Sequence, residues 1–282
     1  MSSLDQYRTR IEEYSEKYAE FMKFERDELG VLTVYLHTKG GASLWNNFNH
    51  RALGQSWADI GRDPENQVVI LTGTDGQWIA PEGGKWTGGW DLLWTAYAGQ
   101  LRFFESFVHN IEVPTIGALS SPGPSIHLEP ALACDLTICS DVTRFGDFHY
   151  YNHAGAGMGN PAGDGTGLAI EELIGRKRAA YLVYLGKTID AQTALDWGMV
   201  NEVLPVDQLV SRAQELGREI VNAAPVGARR LQSQMFKREW KKRLADDWAF
   251  HLSHELLSLA LNEDHYGPRM GGYKNKNEPV PR

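Results

Sequence analysis

An α/β fold with parallel strand pairing is what this chain of 282 residues predicts. Three observations carry that expectation. Short apolar runs alternate with amphipathic helical stretches through the first half, the pattern of strands joined by helical crossovers. The run Val68-Val-Ile-Leu-Thr72 is apolar almost throughout, as a strand covered on both faces must be. From Asp164 onward the pattern turns almost wholly helical, which adds a helical piece to the core.

The elements follow in order. Tyr7, Ile11, Tyr14, Tyr18 and Phe21 share one helical face, so residues 5–22 are expected to open the chain as an amphipathic helix. Asp27-Glu-Leu-Gly30 turns into a strand, Val31-Leu-Thr-Val-Tyr-Leu36. A helix from about Asn47 to Ile60 leads to the buried strand at Val68, and Trp90 to His109 reads as a second helix. Val113 to Leu119 is a strand whose Ser/Pro/Gly turn opens a short helix near Ile126, and Leu136 to Cys139 is another buried strand. Then come helices at Ala191–Trp197, ended by Gly198, at Val206–Ala223 and at Leu244–Asn262. The tail from Asp264 is Gly, Lys, Asn and Pro, the composition of a disordered or partner-wrapping arm. The organisation expected is a core over residues 1–205, a helical region over 206–263 and a flexible tail over 264–282.

Composition narrows the class. With 42% hydrophobic residues the chain can bury a sizeable core. A net charge of -8 with scattered basic residues argues against nucleic acid, and Lys237-Arg238 with Lys241-Lys242-Arg243 reads as a solvated helix face. Cys134 and Cys139 lie in an apolar run and are expected to be buried free thiols. No Cys/His pattern has zinc-ligand spacing, no stretch is long enough to span a membrane, and the N-terminus lacks an apolar signal core. A soluble, cytoplasmic protein is expected.

Several polar residues sit where chemistry is usually placed. Phe145-Gly-Asp-Phe-His149 and Pro161-Ala-Gly-Asp164-Gly165 put a histidine and an aspartate at the two ends of one Gly-rich loop. A carboxylate that orients an imidazole makes it a general base near neutral pH. The plainer reading is that His149 caps a turn and Asp164 caps the following helix. Trp45 and His50 follow the first strand, and His127 follows the turn Ser121-Pro-Gly-Pro-Ser125, both at strand-to-helix junctions. Glu255 is centred in a helical stripe of Trp248, Leu252 and Leu259, so it needs either a partner, such as a nearby Arg, or a raised pKa. Of nine Trp, Trp90 and Trp94 fall with Tyr97 at helical core spacing. Trp78 and Trp86 lie in a Gly/Pro loop and are candidates for lining an apolar pocket.

The order of these motifs resembles the crotonase superfamily. It rests on Val68-Val-Ile-Leu-Thr-Gly-Thr74, Val113-Pro-Thr-Ile-Gly-Ala, Ala133-Cys-Asp135-Leu-Thr, Phe145-Gly, Gly163-Asp-Gly-Thr-Gly and the long run from Tyr184 to Leu204. The resemblance covers residues 20–262. It implies a crotonase-like spiral of ββα units with a C-terminal helical trimerisation region, assembled as trimers or paired trimers. Two departures separate the chain from the coenzyme A enzymes. Ser125-Ile-His127 replaces their Gly-rich run, and Trp78-Ile-Ala-Pro-Glu-Gly-Gly-Lys-Trp86 replaces their Ala-Gly-x-Asp loop. Glu129 keeps the place of one hydratase glutamate, whereas His149 stands where the second would be. Trp45, His50, His127, His149, Asp164 and Glu255 together resemble the β-diketone hydrolase branch, typified by 6-oxocamphor hydrolase.

That branch implies a cofactor-independent retro-Claisen cleavage of a bulky, cyclic β-diketone to a keto acid. By the resemblance, His149 oriented by Asp164 deprotonates water, Glu255 or His127 positions or protonates the enolate, and His50 and Trp45 bind a carbonyl oxygen. The loop from His149 to Asp164 is longer than the family's, and it adds His153 as a rival base or substrate contact. The alternatives are an acyl-CoA hydratase or isomerase using Glu129, and a catalytically silent relative acting as a binding protein.

Overall fold

The computed structural model describes residues 7–80, 90–123, 126–147, 149–150 and 159–261, apart from the side chains of residues 47, 90–98, 100, 259 and 260. Trp86, His153 and the tail from 264 therefore lie outside the described residues, as do the side chains of Trp90, Trp94 and Tyr97.

The chain opens with α1 (Ile11–Tyr18), β1 (Met22–Arg26) and β2 (Val31–Leu36). Next come β3 (Ser43–Leu44), α2 (Asn47–Arg62), β4 (Val68–Thr72), β5 (Ile79–Ala80), α3 (Trp90–Asn110), β6 (Thr115–Leu119), α4 (Glu129–Leu132), β7 (Leu136–Ser140) and β8 (Arg144–Phe145). The second half holds α5 (Thr166–Ile174), α6 (Arg176–Leu185), β9 (Ile189–Asp190), α7 (Ala191–Asp196), β10 (Glu202–Leu204), α8 (Leu209–Ala223), α9 (Val226–Arg243) and α10 (Ala249–Leu261).

The main sheet runs β1-β2-β4-β6-β7-β10, and all of it is parallel except the β1–β2 pair. Period-two alternation divides each strand between two cores. Leu32, Val34, Val69 and Leu71 face the larger core with α1, α2 and α3, which includes Trp57, Phe103 and Phe107. Val31, Val68, Ile70 and Ile116 face the smaller one, closed by Leu209 and Ala213 of α8. Both faces are covered, which is why these strands read as unbroken apolar runs. The short pairs β3–β5 and β8–β9 tie the connecting loops together at the sheet's rim. This parallel sheet followed by a helical second half is the architecture that the crotonase resemblance implies.

Four sequence expectations are corrected. The opening helix covers only Ile11–Tyr18; Tyr7 is 67% exposed, and Met22, expected at the helix end, instead begins the strand Met22–Arg26, which pairs with β2. The short helix begins at Glu129 rather than near Ile126. The last helix is interrupted: Leu244–Trp248 is a π-helical turn before α10, and such turns re-aim the residues that follow. Finally, Lys237 is no part of a solvated face. It is 1% exposed, and its Nζ donates to the carbonyls of Ile111 (2.5 Å) and Val113 (3.2 Å) just beyond the C-terminal end of α3. Burial lowers its pKa, while the carbonyls there favour a cation. Cys134 and Cys139 are free and buried, as the sequence implied.

Lys237→Met keeps most of the volume and removes the lysine donor from the Ile111 carbonyl, while the Val113 carbonyl keeps Ser233 Oγ at 3.2 Å. It is expected to cost about 1–3 kcal/mol of stability in urea denaturation. Arg238→Met, one position along at a side chain 68% exposed, should stay within about 0.5 kcal/mol of the parent.

Candidate active site

Loops following β2, β4, β6 and β8 converge with α10, at the carboxyl side of the sheet where open α/β sheets place ligands. The first loop carries Trp45 and starts α2 through a cap. Asn46 Oδ1 accepts from the N–H of Phe48 (2.8 Å) and Asn49 (3.1 Å), and Asn49 Oδ1 accepts from the N–H of Asn46 (2.7 Å). That reciprocal cap fixes the helix phase and hence the direction of His50. The Trp45 ring lies 4.1 Å from the His127 ring, with the His50 ring edge-on to it at 4.8 Å. Phe103 of α3 closes the cluster 5.6 Å from His127. A Cβ on Gly99 would come within 3.2 Å of His50 Nδ1, so the glycine lets α3 approach the ring. Trp45 Nε1 is buried with no hydrogen-bond partner among the described residues.

Trp78 is 1% exposed and belongs to the same buried cluster as Trp45, and its Nε1 donates to the His127 carbonyl (2.8 Å). His127 takes φ +54°, an uncommon conformation for a residue with a side chain, and that bond holds it there.

A second cluster adjoins the first through His127. The His127 Nδ1 is 3.0 Å from Glu129 Oε1 and 3.4 Å from Asp164 Oδ2. Thr166 Oγ1 donates to the other oxygen of Glu129 at 2.9 Å, and Glu129 is fully buried. The His149 Nε2 lies 3.5 Å from the same Asp164 Oδ2 and 3.9 Å from Glu255 Oε1. Asp164 is not the cap of α5, which is Gly165: its Oδ1 accepts the Thr166 N–H (3.1 Å) in the turn just before the helix, and its Oδ2 faces the two imidazoles. Glu255 reaches the site because the loop before Asp164 packs tightly on α10. A Cβ on Gly163 would fall 2.6 Å from the Glu255 Cβ. Glu255 Oε2 is buried without a hydrogen-bond partner among the described residues, and the ion-pair neighbour of its carboxylate is His149, not an arginine.

The sequence passed over Asp147. Its Oδ2 is 3.1 Å from His149 Nδ1, and its Oδ1 accepts the His149 N–H at 2.8 Å. The signal was there: an aspartate two residues ahead of a histidine is the local pattern of an Asx turn. Phe103 was also missed, since only the fold brings α3 to His127.

Electrostatics push the two histidines apart. Burial lowers His127 to about 4, which keeps it neutral. Burial also opposes charge on His149, but the carboxylates of Asp164 and Asp147 outweigh it and hold that ring well above its ordinary value. Burial raises Glu255 to about 8, with His149 opposing and Asp164 reinforcing, and burial raises Asp164 as well. Titratable groups driven in opposite directions within one cluster are the usual mark of divided acid and base roles. Donor atoms of His127, Glu129 and Asp164, and of Asp147, His149 and Asp164, lie within 4.8 Å of one another, close enough to hold a cation. Their shortest separations, 3.0 and 3.1 Å, are hydrogen bonds within each group. A cleft of about 630 Å³ opens elsewhere, beside His37, Asp75, Gln77 and Val206, and no residue of the cluster lines it.

The model of the enoyl-CoA hydratase/isomerase family matches residues 30–280. A solved β-diketone hydrolase from the cyanobacterium Anabaena, bound to (S)-3-oxocyclohexyl acetic acid, superposes with a TM-score of 0.76 at 29% identity, over 86% of this chain and 95% of that one. A probable mitochondrial enoyl-CoA hydratase of Arabidopsis thaliana is 27% identical over 73% of this chain and 68% of its own. A carnitinyl-CoA dehydratase of Salmonella paratyphi B is 27% identical over 62% of this chain and 65% of its own, so the chain spans about two thirds of these relatives. Among the described residues no helix is long and apolar enough to cross a membrane. With its parallel sheet, its helical second half and this match over most of its length, the chain belongs to the enoyl-CoA hydratase/isomerase, or crotonase, superfamily.

Proposed function

We propose that the protein hydrolyses a carbon–carbon bond of a bulky, cyclic β-diketone, giving a keto acid by a retro-Claisen reaction. The observation that carries this is the placement of His149 Nε2 within 4 Å of both Asp164 and Glu255, a base and a high-pKa acid sharing one buried space. Neutral His149 takes a proton from water, and the hydroxide oxygen adds to one carbonyl carbon. The tetrahedral oxyanion collapses, breaking the bond to the central carbon, which leaves as the enolate of the second ketone. Glu255, holding its proton at neutral pH, returns one to that carbon. Trp45 Nε1 is placed to donate to a carbonyl oxygen, and His50 and His127 border the same space.

The hydratase alternative would need Glu129 as an active carboxylate. Both of its oxygens are taken up by His127 and Thr166, and the residue is fully buried, which suits support of His127 better than acid–base work on a substrate. The similarity to the Anabaena β-diketone hydrolase favours the same side. The substrate-contact roles of Trp86 and His153 belong to this reading through the sequence alone. So does assembly as a trimer or a pair of trimers through residues 206–263. Exposed Leu231, Met235 and Phe236 on α9 and Phe250 and Leu257 on α10 give that region apolar surface to bury.

The test is a panel of cyclic β-diketones, followed by loss of ultraviolet enol absorbance in buffer without coenzyme A, with and without chelator. At least one diketone is expected to be consumed to a keto acid at a rate the chelator leaves unchanged. Turnover of a crotonyl-type thioester with no diketone consumed would overturn the reading and promote Glu129.

A further inference from the structure

The proposed function leaves open which carboxylate holds the base in its working form. We infer that Asp147, rather than Asp164, is the positioning residue of His149, so that the ring presents its Nε2 lone pair to water while Asp164 serves the two histidines jointly. This rests on the hydrolase reading for its consequence in turnover, but not for its geometry.

Asp147 grips His149 twice. One oxygen accepts the backbone N–H at 2.8 Å and the other meets ring Nδ1 at 3.1 Å. The two contacts fix the backbone and the ring together. A carboxylate can only accept, so the Nδ1 facing Asp147 must carry the hydrogen. In the neutral ring that leaves Nε2 as the sole lone pair. Asp147 is buried, so competing water is kept from the bond.

Asp164 stands differently. Its Oδ2 is 3.5 Å from His149 Nε2 and 3.4 Å from His127 Nδ1, both beyond a good hydrogen bond, and its Oδ1 is committed to Thr166. An acceptor at Nε2 would favour the wrong neutral tautomer for a base, with the hydrogen on the atom that must receive one. Two aspartates thus oppose each other across one ring, and the shorter contact, on the Nδ1 side, decides the tautomer. His127 shows the same plan, with Glu129 on its Nδ1 at 3.0 Å.

The test is ¹⁵N NMR of histidine-labelled full-length protein, with the His149 ring signals assigned by their loss in His149→Gln. Titrated until the ring is neutral, the wild type should show Nδ1 protonated and Nε2 bare. In Asp147→Asn the amide can donate to Nδ1, so the hydrogen should move to Nε2, the ring should titrate lower, and kcat should fall at least about 10²-fold, as a wrong tautomer does in other hydrolases. Asp164→Asn should keep the Nδ1 hydrogen. A wild-type ring with hydrogen on Nε2 overturns the inference without any variant; so does a tautomer that switches in Asp164→Asn but not in Asp147→Asn. Because the ring signals need no substrate, a failed diketone assay sinks the proposed function and leaves this result readable.

Discussion

His149→Ala should lower kcat on a cyclic β-diketone by about 10²- to 10⁴-fold, the range for removing a general base. KM should move little, since the ring acts on water. His153→Ala should retain most of the activity; if it is the dead variant and His149→Ala survives, the base roles must be exchanged. The expectation follows from what surrounds His149: Asp147, two residues before it, on one nitrogen, and Asp164 and Glu255 on the other. The same surroundings set the pH dependence. His149 is held well above its ordinary value, and only its neutral form accepts a proton from water, so kcat/KM should fall as pH drops below that raised value. Glu255 must keep its proton to act as the acid, so activity should fall again as pH rises past about 8. A bell with its acidic limb set by the raised His149 and its alkaline limb at about 8 is the predicted profile, and Asp164→Asn should shift the acidic limb downward.

Glu255→Gln should slow turnover by at least about 10²-fold and abolish the alkaline limb, because the titrating acid is gone. Its effect on stability runs the other way. The folded pKa, about 8, is raised above the ordinary 4.5, so the group's favourable contribution is complete below about pH 4.5 and is lost as pH rises through about 8. The glutamine variant carries no such loss. Its melting temperature should match or exceed the parent's at neutral pH, with the margin widening up to about pH 8 and vanishing near pH 4. A structural ion pair at this position would give near-normal turnover and a melting temperature lowered by several degrees at neutral pH. Measuring both quantities across pH separates the two.

Periodicity in the sequence reached the fold where one residue's neighbours in the chain dictate its surroundings. β4 could be placed because both of its faces are buried, so its apolar run is unbroken; α2 and α7 because a cap or a terminal glycine marks their ends. It missed β1 at residues 22–26, where the helix expected over 5–22 runs into a strand defined by its pairing with β2, and it failed at Lys237, whose acceptors lie more than a hundred residues away. In the site, Glu255 was legible as a carboxylate centred in an apolar stripe, and His149 and Asp164 as the two ends of one Gly-rich loop. What their carboxylates face was not. Which aspartate meets which ring nitrogen depends on how the turn at Asp147 folds back on His149 and how closely Gly163 lets its loop pack on α10, contacts of a few ångströms that residue spacing does not encode. The chain therefore specified the chemical groups and the family by itself, while the direction of each pKa shift was decided only by tertiary burial and by the charges it brings together.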